Sequence, residues 1–227
     1  MPCPSIDRPG MPAALTEYGP EEQAENVAAV VAAAGFSRRM GRFKPLLPWR
    51  QGTVIEAVAE ALAGGGASPV IVVTGHRAEA VSEQLKGGSA ETVLNANYCY
   101  DQMLRSYQVG VEALCRHHRP VCGTLLALGD QPHIPRGVIR QILASVRDAP
   151  EAVVVPSYMR RRGHPFYLPR WAFSELLRLS GGQSLRDLLE TYVEKIVYVT
   201  VDSDCIRRDM DVPADYESLR AEFEWVV

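Results

Sequence analysis

The sequence lacks a long hydrophobic run. Its longest apolar stretch, residues 27–34, is strand-sized and falls far short of the roughly 18–20 residues that cross a bilayer, so no membrane role is expected. A charged N-terminal segment leading into an apolar stretch is also missing, and no secretory signal is expected. Positive charge is not in excess. The 24 Lys and Arg against 27 Asp and Glu give a net charge of −3, with a pI near 6.0, which argues against nucleic acid as a partner. Cysteine is scarce and odd in number. The five cysteines, Cys3, Cys99, Cys115, Cys122 and Cys205, follow no regular spacing, so no disulfide framework is implied and a cytoplasmic protein with reduced thiols is expected. Cys115, His117, His118 and Cys122 lie close together, but their spacing matches no standard zinc finger or ribbon. A helix end running into a loop is the simpler reading.

What the chain does have is 227 residues of which 47% are apolar, enough for one domain with a substantial core. Residues 1–25 carry Pro2, Pro4, Pro9, Pro12 and Pro20 with little apolar periodicity and read as a flexible tail. The domain is expected over 26–227. Within it, strand patterns at 27–34, 70–73, 92–94, 124–128 and 152–155 alternate with helical patterns at 53–63, 78–85, 102–116 and 136–146. After Pro156 the rhythm changes. Residues 157–168 read as a loop or hairpin, followed by short helices near 171–179 and 184–191, a last strand at 196–201 and a last helix at 213–223. Such alternation predicts an α/β fold with a mainly parallel central sheet and helices on both faces. In these sheets ligands sit at the carboxyl ends of strands, and that is where the unusual residues cluster.

The first cluster is Gly35-Phe36-Ser37-Arg38-Arg39-Met40-Gly41-Arg42-Phe43-Lys44. Glycines let backbone N–H groups curl around an anion. Ser37 can donate a hydrogen bond, and Arg38, Arg39, Arg42 and Lys44 concentrate positive charge, so a polyphosphate is the natural ligand. A P-loop needs four residues between its glycines and a Lys directly after the second. Here five intervene and Lys44 is displaced. A dinucleotide fingerprint needs glycine where Ser37 stands, and Pro45 biases Lys44 toward extended backbone instead of an immediate helix. A basic surface loop with turn glycines is the other reading.

The acidic candidates come later. Asp130 follows the apolar run 124–128, at the expected carboxyl end of a strand. A carboxylate there, facing a polyphosphate loop, suits Mg²⁺, which takes one or two carboxylates plus phosphate oxygens. A turn or helix-start aspartate before Pro132 is the alternative. Asp209-Met210-Asp211-Val212-Pro213 is a second acidic segment, and equally a helix-start signal.

Together these residues resemble a known family. The run from Ala33 to Lys44 is similar to the signature of the MobA-like nucleotidyltransferases, relatives of the sugar-nucleotide pyrophosphorylases. Gly129-Asp130-Gln131-Pro132 looks like their metal-binding Asp-Gln-Pro segment. Arg162-Gly163-His164-Pro165 resembles their Gly-His-Pro loop on the substrate side, and Asp209-Met210-Asp211-Val212-Pro213-Ala214-Asp215-Tyr216 resembles their closing acidic motif. The four stand in the family's order. Lys44-Pro45-Leu46-Leu47-Pro48-Trp49 looks most like the molybdenum cofactor cytidylyltransferase branch. Two segments depart from the pattern. Asn97-Tyr98-Cys99-Tyr100-Asp101-Gln102-Met103-Leu104-Arg105-Ser106 keeps only Ser106 of the family's serine run, and Ser180-Gly181-Gly182-Gln183-Ser184-Leu185-Arg186 departs from Gly-Asp-x-Gly-Ala-Arg. Both lie toward the acceptor in the family.

The resemblance implies a three-layer Rossmann-like fold of the nucleotide-diphospho-sugar transferase kind, with Mg²⁺ as cofactor. It implies transfer of a nucleoside monophosphate from an NTP, CTP favoured, to a phosphate acceptor, molybdopterin cofactor, with release of pyrophosphate. Lys44, Asp130 and Arg39 would be catalytic, and Asp130 and Asp211 would hold the metal. Nucleotide contacts would come from Ala33, Ala34, Gly35, Ser37, Arg39, Met40, Gly41, Lys44, Thr74, Gly75 and Asn97, and acceptor contacts from Gln131, Gly163, His164 and Pro165. A molybdoenzyme maturation partner would be in keeping with that product. The alternatives are transfer to a sugar or alditol phosphate, and a non-catalytic NTP-binding accessory protein.

Overall fold

The computed structural model describes residues 26–100, 103–117 and 120–223. The expected tail over 1–25 lies outside the described residues, as do Asp101, Gln102 and His118. The chain opens on β1 (Val27–Ala32), where the run Val-Ala-Ala-Val-Val-Ala is buried on both faces, as a central parallel strand must be. A small hairpin of β2 (Pro48–Trp49) and β3 (Gly52–Thr53) leads into α1 (Val54–Gly65). Glu56 caps α1 by accepting from the Thr53 backbone N–H at 2.8 Å. Then follow β4 (Val70–Thr74), α2 (Ala78–Gln84), β5 (Ala90–Leu94), α3 (Met103–Arg116), β6 (Gly123–Leu128) and α4 (Arg136–Asp148).

The last third holds β7 (Val153–Tyr158), β8 (Arg161–Arg162), β9 (Phe166–Pro169), α5 (Ala172–Arg178), α6 (Leu185–Thr191), β10 (Ile196–Thr200) and α7 (Pro213–Phe223). The large sheet runs β10-β7-β9-β6-β1-β4-β5, with β8 paired to β7. All these pairings are parallel except those of β8 with β7 and of β9 with β6 and β7. The fold is therefore a mixed α/β sandwich on a mostly parallel sheet, as the alternation predicts.

The segment read as a loop or hairpin over 157–168 contains more than that. Its first part is the β7–β8 hairpin. Its end, β9, lies inside the sheet, with Phe166, Tyr167, Leu168 and Pro169 all buried. Four residues that follow Pro165 and end on Pro169 are too short to display a period, so the strand has no sequence signature of its own.

Successive residues of β1 alternate between two cores. Ala29 and Val31 pack with Ile55, Leu62, Ile139 and Ile142 of α1 and α4, while Ala28 and Val30 pack with Tyr107, Leu114, Phe173 and Leu176 of α3 and α5. Gly110 lets α3 lie against β1: a Cβ there would collide with Val30. A third cluster joins Met40, Trp49, Val54, Met210, Tyr216 and Leu219. It matters for function, because Met40 and Met210 are buried side by side in sequence with Arg39 and Asp211. Burying the two methionines in one cluster carries the glycine loop and the acidic segment to the same place. No helix among the described residues is long and apolar enough to cross a membrane.

Candidate functional site

A cleft of about 440 Å³ opens where β1, β5 and β6 end, the place the strand-end rule indicates. One wall is the loop after β1. Ser37 and Gly41 take left-handed backbone conformations (φ 57° and 67°) around a single turn of 3₁₀ helix, Arg38–Met40. The Met40 and Gly41 amides donate to the carbonyls of Ser37 and Arg38, so the amides before them are the ones left to face an anion. The Ser37 hydroxyl accepts from the Lys44 N–H at 3.0 Å. That bond folds the loop back over seven residues and leaves the hydroxyl proton for a ligand.

Opposite this wall stand the acidic residues. Asp130 follows β6 in a turn fixed by the Gly129 N–H, which donates to the Ala32 carbonyl at 3.0 Å. A Cβ on Gly129 would come within 2.9 Å of that carbonyl oxygen, so glycine is required for the close approach. Lys44 Nζ lies 2.8 Å from Asp130 Oδ2 and 3.0 Å from Asp211 Oδ1. Arg39 forks onto Asp211 at 2.9 and 3.1 Å. Asp211 is held in turn by its own N–H, which donates to Asp215 Oδ2 at 3.0 Å. Residues that the sequence separates by up to 172 positions thus meet at one point.

Their ionisation follows from this meeting. Partial burial works against the Lys44 charge, but the carboxylates of Asp130 and Asp211 outweigh it and raise its pKa. Burial opposes the Asp211 charge too, and Lys44 and Arg39 hold its pKa below the usual value. Asp209 behaves in the opposite way. Loss of hydration, and then repulsion from Asp130 and Asp211, pushes it up to about 6, even though much of the residue stays exposed. Two carboxylate oxygens that converge on one ammonium define a cation position, and Asp130 and Asp211 are the residues that could hold a divalent ion there. Among the described residues no group of three His, Cys, Asp or Glu surrounds a metal-sized space, so phosphate oxygens would have to complete the coordination, as is usual for Mg²⁺.

The remaining expected residues divide into two sets. Ala33, Ala34 and Gly35 line the cleft with Ser37 and Arg39. Thr74 and Gly75 sit behind it: the Thr74 hydroxyl donates to the Val93 carbonyl at 3.3 Å, and a Cβ on Gly75 would meet Tyr98 and Ala34. Asn97 is exposed, and its N–H donates to Asn95 Oδ1 at 3.1 Å. Asn95 itself is the cleft residue, 2% exposed, with its amide donating to Ser106 Oγ at 3.3 Å. It was legible only by position, being the first residue after β5. Phe36, Tyr98 and Met103 also line the cleft; they lie within the segments compared above, but none of them was singled out as a contact.

Gly163, His164 and Pro165 pack beneath the segment that leads to Asp211. The His164 N–H donates to the Ile206 carbonyl at 2.9 Å, and a Cβ on Gly163 would collide with that carbonyl. Burial pushes the His164 imidazole down to about 4, against a modest opposing pull from Asp130. It is therefore neutral at physiological pH. Because the folded pKa is depressed below the unfolded value of 6.5, the unfolded chain takes up the extra proton first, and this group's contribution to stability is lost as pH falls from about 6.5 toward 4. Between about pH 7 and pH 5 the loss should reach roughly 2 kcal/mol. Urea denaturation at the two pH values should show it in the native chain and a smaller loss in His164→Gln. Equal losses in both chains would show that another group carries the acid sensitivity.

Cys115 is a buried residue of α3, and His117 pairs with Glu91 at 3.3 Å. Cys115 therefore belongs to the end of the helix, and Cys122 lies in the loop before β6, its thiol donating to the Asn26 carbonyl at 3.4 Å.

Comparison with known proteins bears on the same residues. The MobA-like NTP transferase domain matches residues 29–196, from β1 to the start of β10. The molybdenum cofactor cytidylyltransferase of Escherichia coli (strain K12) is 25% identical over 195 residues, spanning 86% of this chain and 95% of that protein. Nicotine blue oxidoreductase of Paenarthrobacter nicotinovorans is 32% identical over 151 residues, 63% of this chain and 70% of that protein. Among solved structures, Rv0371c of Mycobacterium tuberculosis H37Rv superposes with a TM-score of 0.74 at 30% identity, covering 87% of this chain and 99% of that one. Its complex with manganese superposes at 0.67 and 31%, with coverages of 86% and 98%. The glycine loop and the turn that carries Asp130 fall within the matched span, Asp211 lies beyond it, and the chain belongs to the MobA-like NTP transferase family.

Proposed function

We propose that this chain transfers a nucleoside monophosphate from an NTP, with CTP favoured, to the phosphate of molybdopterin cofactor and releases pyrophosphate. The observation that carries the reading is the convergence of Lys44, Asp130 and Asp211 at the floor of the glycine-loop cleft. Similarity to the Escherichia coli cytidylyltransferase supports the choice of CTP and of the acceptor. The amides before Met40 and the Ser37 hydroxyl would hold the β- and γ-phosphates. Lys44 would leave the carboxylates for the α-phosphate or the departing phosphates, acting as a point charge. Arg39 would follow from Asp211 onto the same phosphates. Asp130 and Asp211 would hold Mg²⁺ between them, and when bound the ion would neutralise charge developing on the phosphates. The acceptor phosphate oxygen then attacks the α-phosphorus, and the bond to the β-phosphate oxygen breaks in line. A phosphate nucleophile is ionised already at neutral pH, so no side chain need remove a proton. Neutral His164 would support the acceptor side instead. Chemistry of this kind rests on positioning and charge.

The test is pyrophosphate release from CTP, GTP and UTP, each with molybdopterin cofactor or with sugar and alditol phosphates. Release with CTP and molybdopterin, at least about tenfold faster than with the other pairs, is the expected result, tenfold corresponding to about 1.4 kcal/mol of barrier. One relative bears the name of an oxidoreductase, so the transfer step itself has to be measured. Stoichiometric NTP binding with no pyrophosphate from any pair would overturn the reading in favour of a binding protein.

A further inference from the structure

The segment 201–211 leaves the sheet at the edge strand β10 and has to return to the cleft floor before Asp211 can face Asp130. Polar ties hold it there. Gln131 Nε2 donates to the Arg208 carbonyl at 3.2 Å and to Asp209 Oδ1 at 2.9 Å. His133 Nε2 lies 2.9 Å from the Cys205 carbonyl, and the His164 N–H meets the Ile206 carbonyl. Gln131 and His133 are each 3% exposed. Gln131 is the residue after Asp130, and Asp209 is two before Asp211. One buried amide therefore joins the turn that carries the first carboxylate to the segment that carries the second.

We propose that Gln131 is a positioning residue, which fixes Asp130 and Asp211 relative to each other and does not contact the acceptor. The inference rests on the proposed role of those two carboxylates. Gln131 is not among the cleft-lining residues, and its amide nitrogen is shared between two acceptors, so it cannot reach a substrate without breaking both bonds. The amide orientation is not arbitrary. Turned over, its oxygen would face a carbonyl and a carboxylate, both of them acceptors. In the orientation present, Oε1 is buried without a partner among the described residues. An unmet buried acceptor is unfavourable, and the side chain keeps this arrangement because the nitrogen's two bonds outweigh it. Groups that orient metal-binding carboxylates change metal affinity when removed, typically by 10-fold or more.

The experiment uses the full chain without ligand, and then with Mn²⁺ as the probe ion. In Gln131→Leu, amide hydrogen exchange over residues 205–212 should accelerate roughly 10-fold while the sheet keeps its protection. The Mn²⁺ dissociation constant, read by electron paramagnetic resonance, should rise about 10-fold. In turnover kcat should fall, with KM for the acceptor little changed. Gln131→Glu should act in the same way by setting two carboxylates face to face. Adding Asp209→Asn restores the side-chain pair with donor and acceptor reversed, and should recover part of the exchange protection, the Arg208 carbonyl still lacking its donor. Unchanged exchange in both single variants overturns the proposal. So does a rise in acceptor KM at unaltered Mn²⁺ affinity, the signature of a substrate contact. Absence of Mn²⁺ binding in the native chain would overturn the metal reading instead, while the exchange result would still decide whether Gln131 ties the segment.

Discussion

Asp130→Ala is expected to slow pyrophosphate release at least about 100-fold, the scale of removing one preorganised charge from a reaction centre. The loss follows from where the side chain sits and from the absence of a substitute. Asp130 leaves the end of β6 in a turn whose backbone is set by the close approach of Gly129 to Ala32, so no neighbouring residue can slide into its place. Asp211 cannot stand in, because Arg39 and the Asp215 cap hold it on the far side of Lys44. Asp209, whose carboxyl is pushed up to about 6, is tied to Gln131. Asp130→Asn keeps the volume and loses the charge, and should fall almost as far. Neither change touches the core, since the Asp130 side chain is 22% exposed and packs in no apolar cluster. Thermal stability should therefore stay close to that of the native chain. A rate that survives in Asp130→Ala would remove this residue from the chemistry and leave it a turn aspartate, the alternative its sequence context also allows.

Much of this geometry can be read in the sequence, and the parts that cannot have identifiable causes. The strands that sit mid-sheet, 27–32, 70–74 and 123–128, announce themselves because burial on both faces demands unbroken apolar runs. The capped helices are equally plain, since Thr53 with Glu56 at the start of α1 and Gly66 at its end are local chemistry. β9 is hidden because its partners, β6 and β7, are assigned by tertiary pairing, and four residues that follow one proline and end on another carry no period. At the site, Gly35, Ser37, Lys44 and Asp130 stand out by type and place. Asn95 does not, because a single asparagine after a strand resembles any turn residue, and only the fold shows that it lines the cleft and bonds Ser106. Thr74 and Gly75 show the converse. The resemblance directs attention to them, but the Thr74 hydroxyl is bonded to the Val93 carbonyl and a Cβ on Gly75 would meet Tyr98 and Ala34. What sequence cannot display is which groups are already spent on each other.

Lys44 is such a group, and its removal should have effects of opposite sign on rate and on ion binding. In the ligand-free chain its ammonium occupies the position between Asp130 and Asp211, and the carboxylates raise its pKa despite burial. A divalent ion entering that position has to displace it, and phosphates arriving in the cleft offer the ammonium somewhere else to go. Lys44→Ala removes both the competitor and the phosphate contact. Pyrophosphate release should fall at least about 100-fold, whereas Mn²⁺ binding without nucleotide should tighten, because two carboxylates left without their shared cation gain more from the ion than the native pair does. The native chain should bind Mn²⁺ more tightly once CTP is present, and that enhancement should shrink in the variant, since linkage between two ligands is reciprocal. Lys44→Arg restores the charge but not the shape: a planar guanidinium cannot occupy the same point between two carboxylates, and most of the lost rate should stay lost. If Lys44→Ala weakened Mn²⁺ binding instead, the lysine would be holding the carboxylates in place, and the exchange of Lys44 for a metal ion would have to be abandoned.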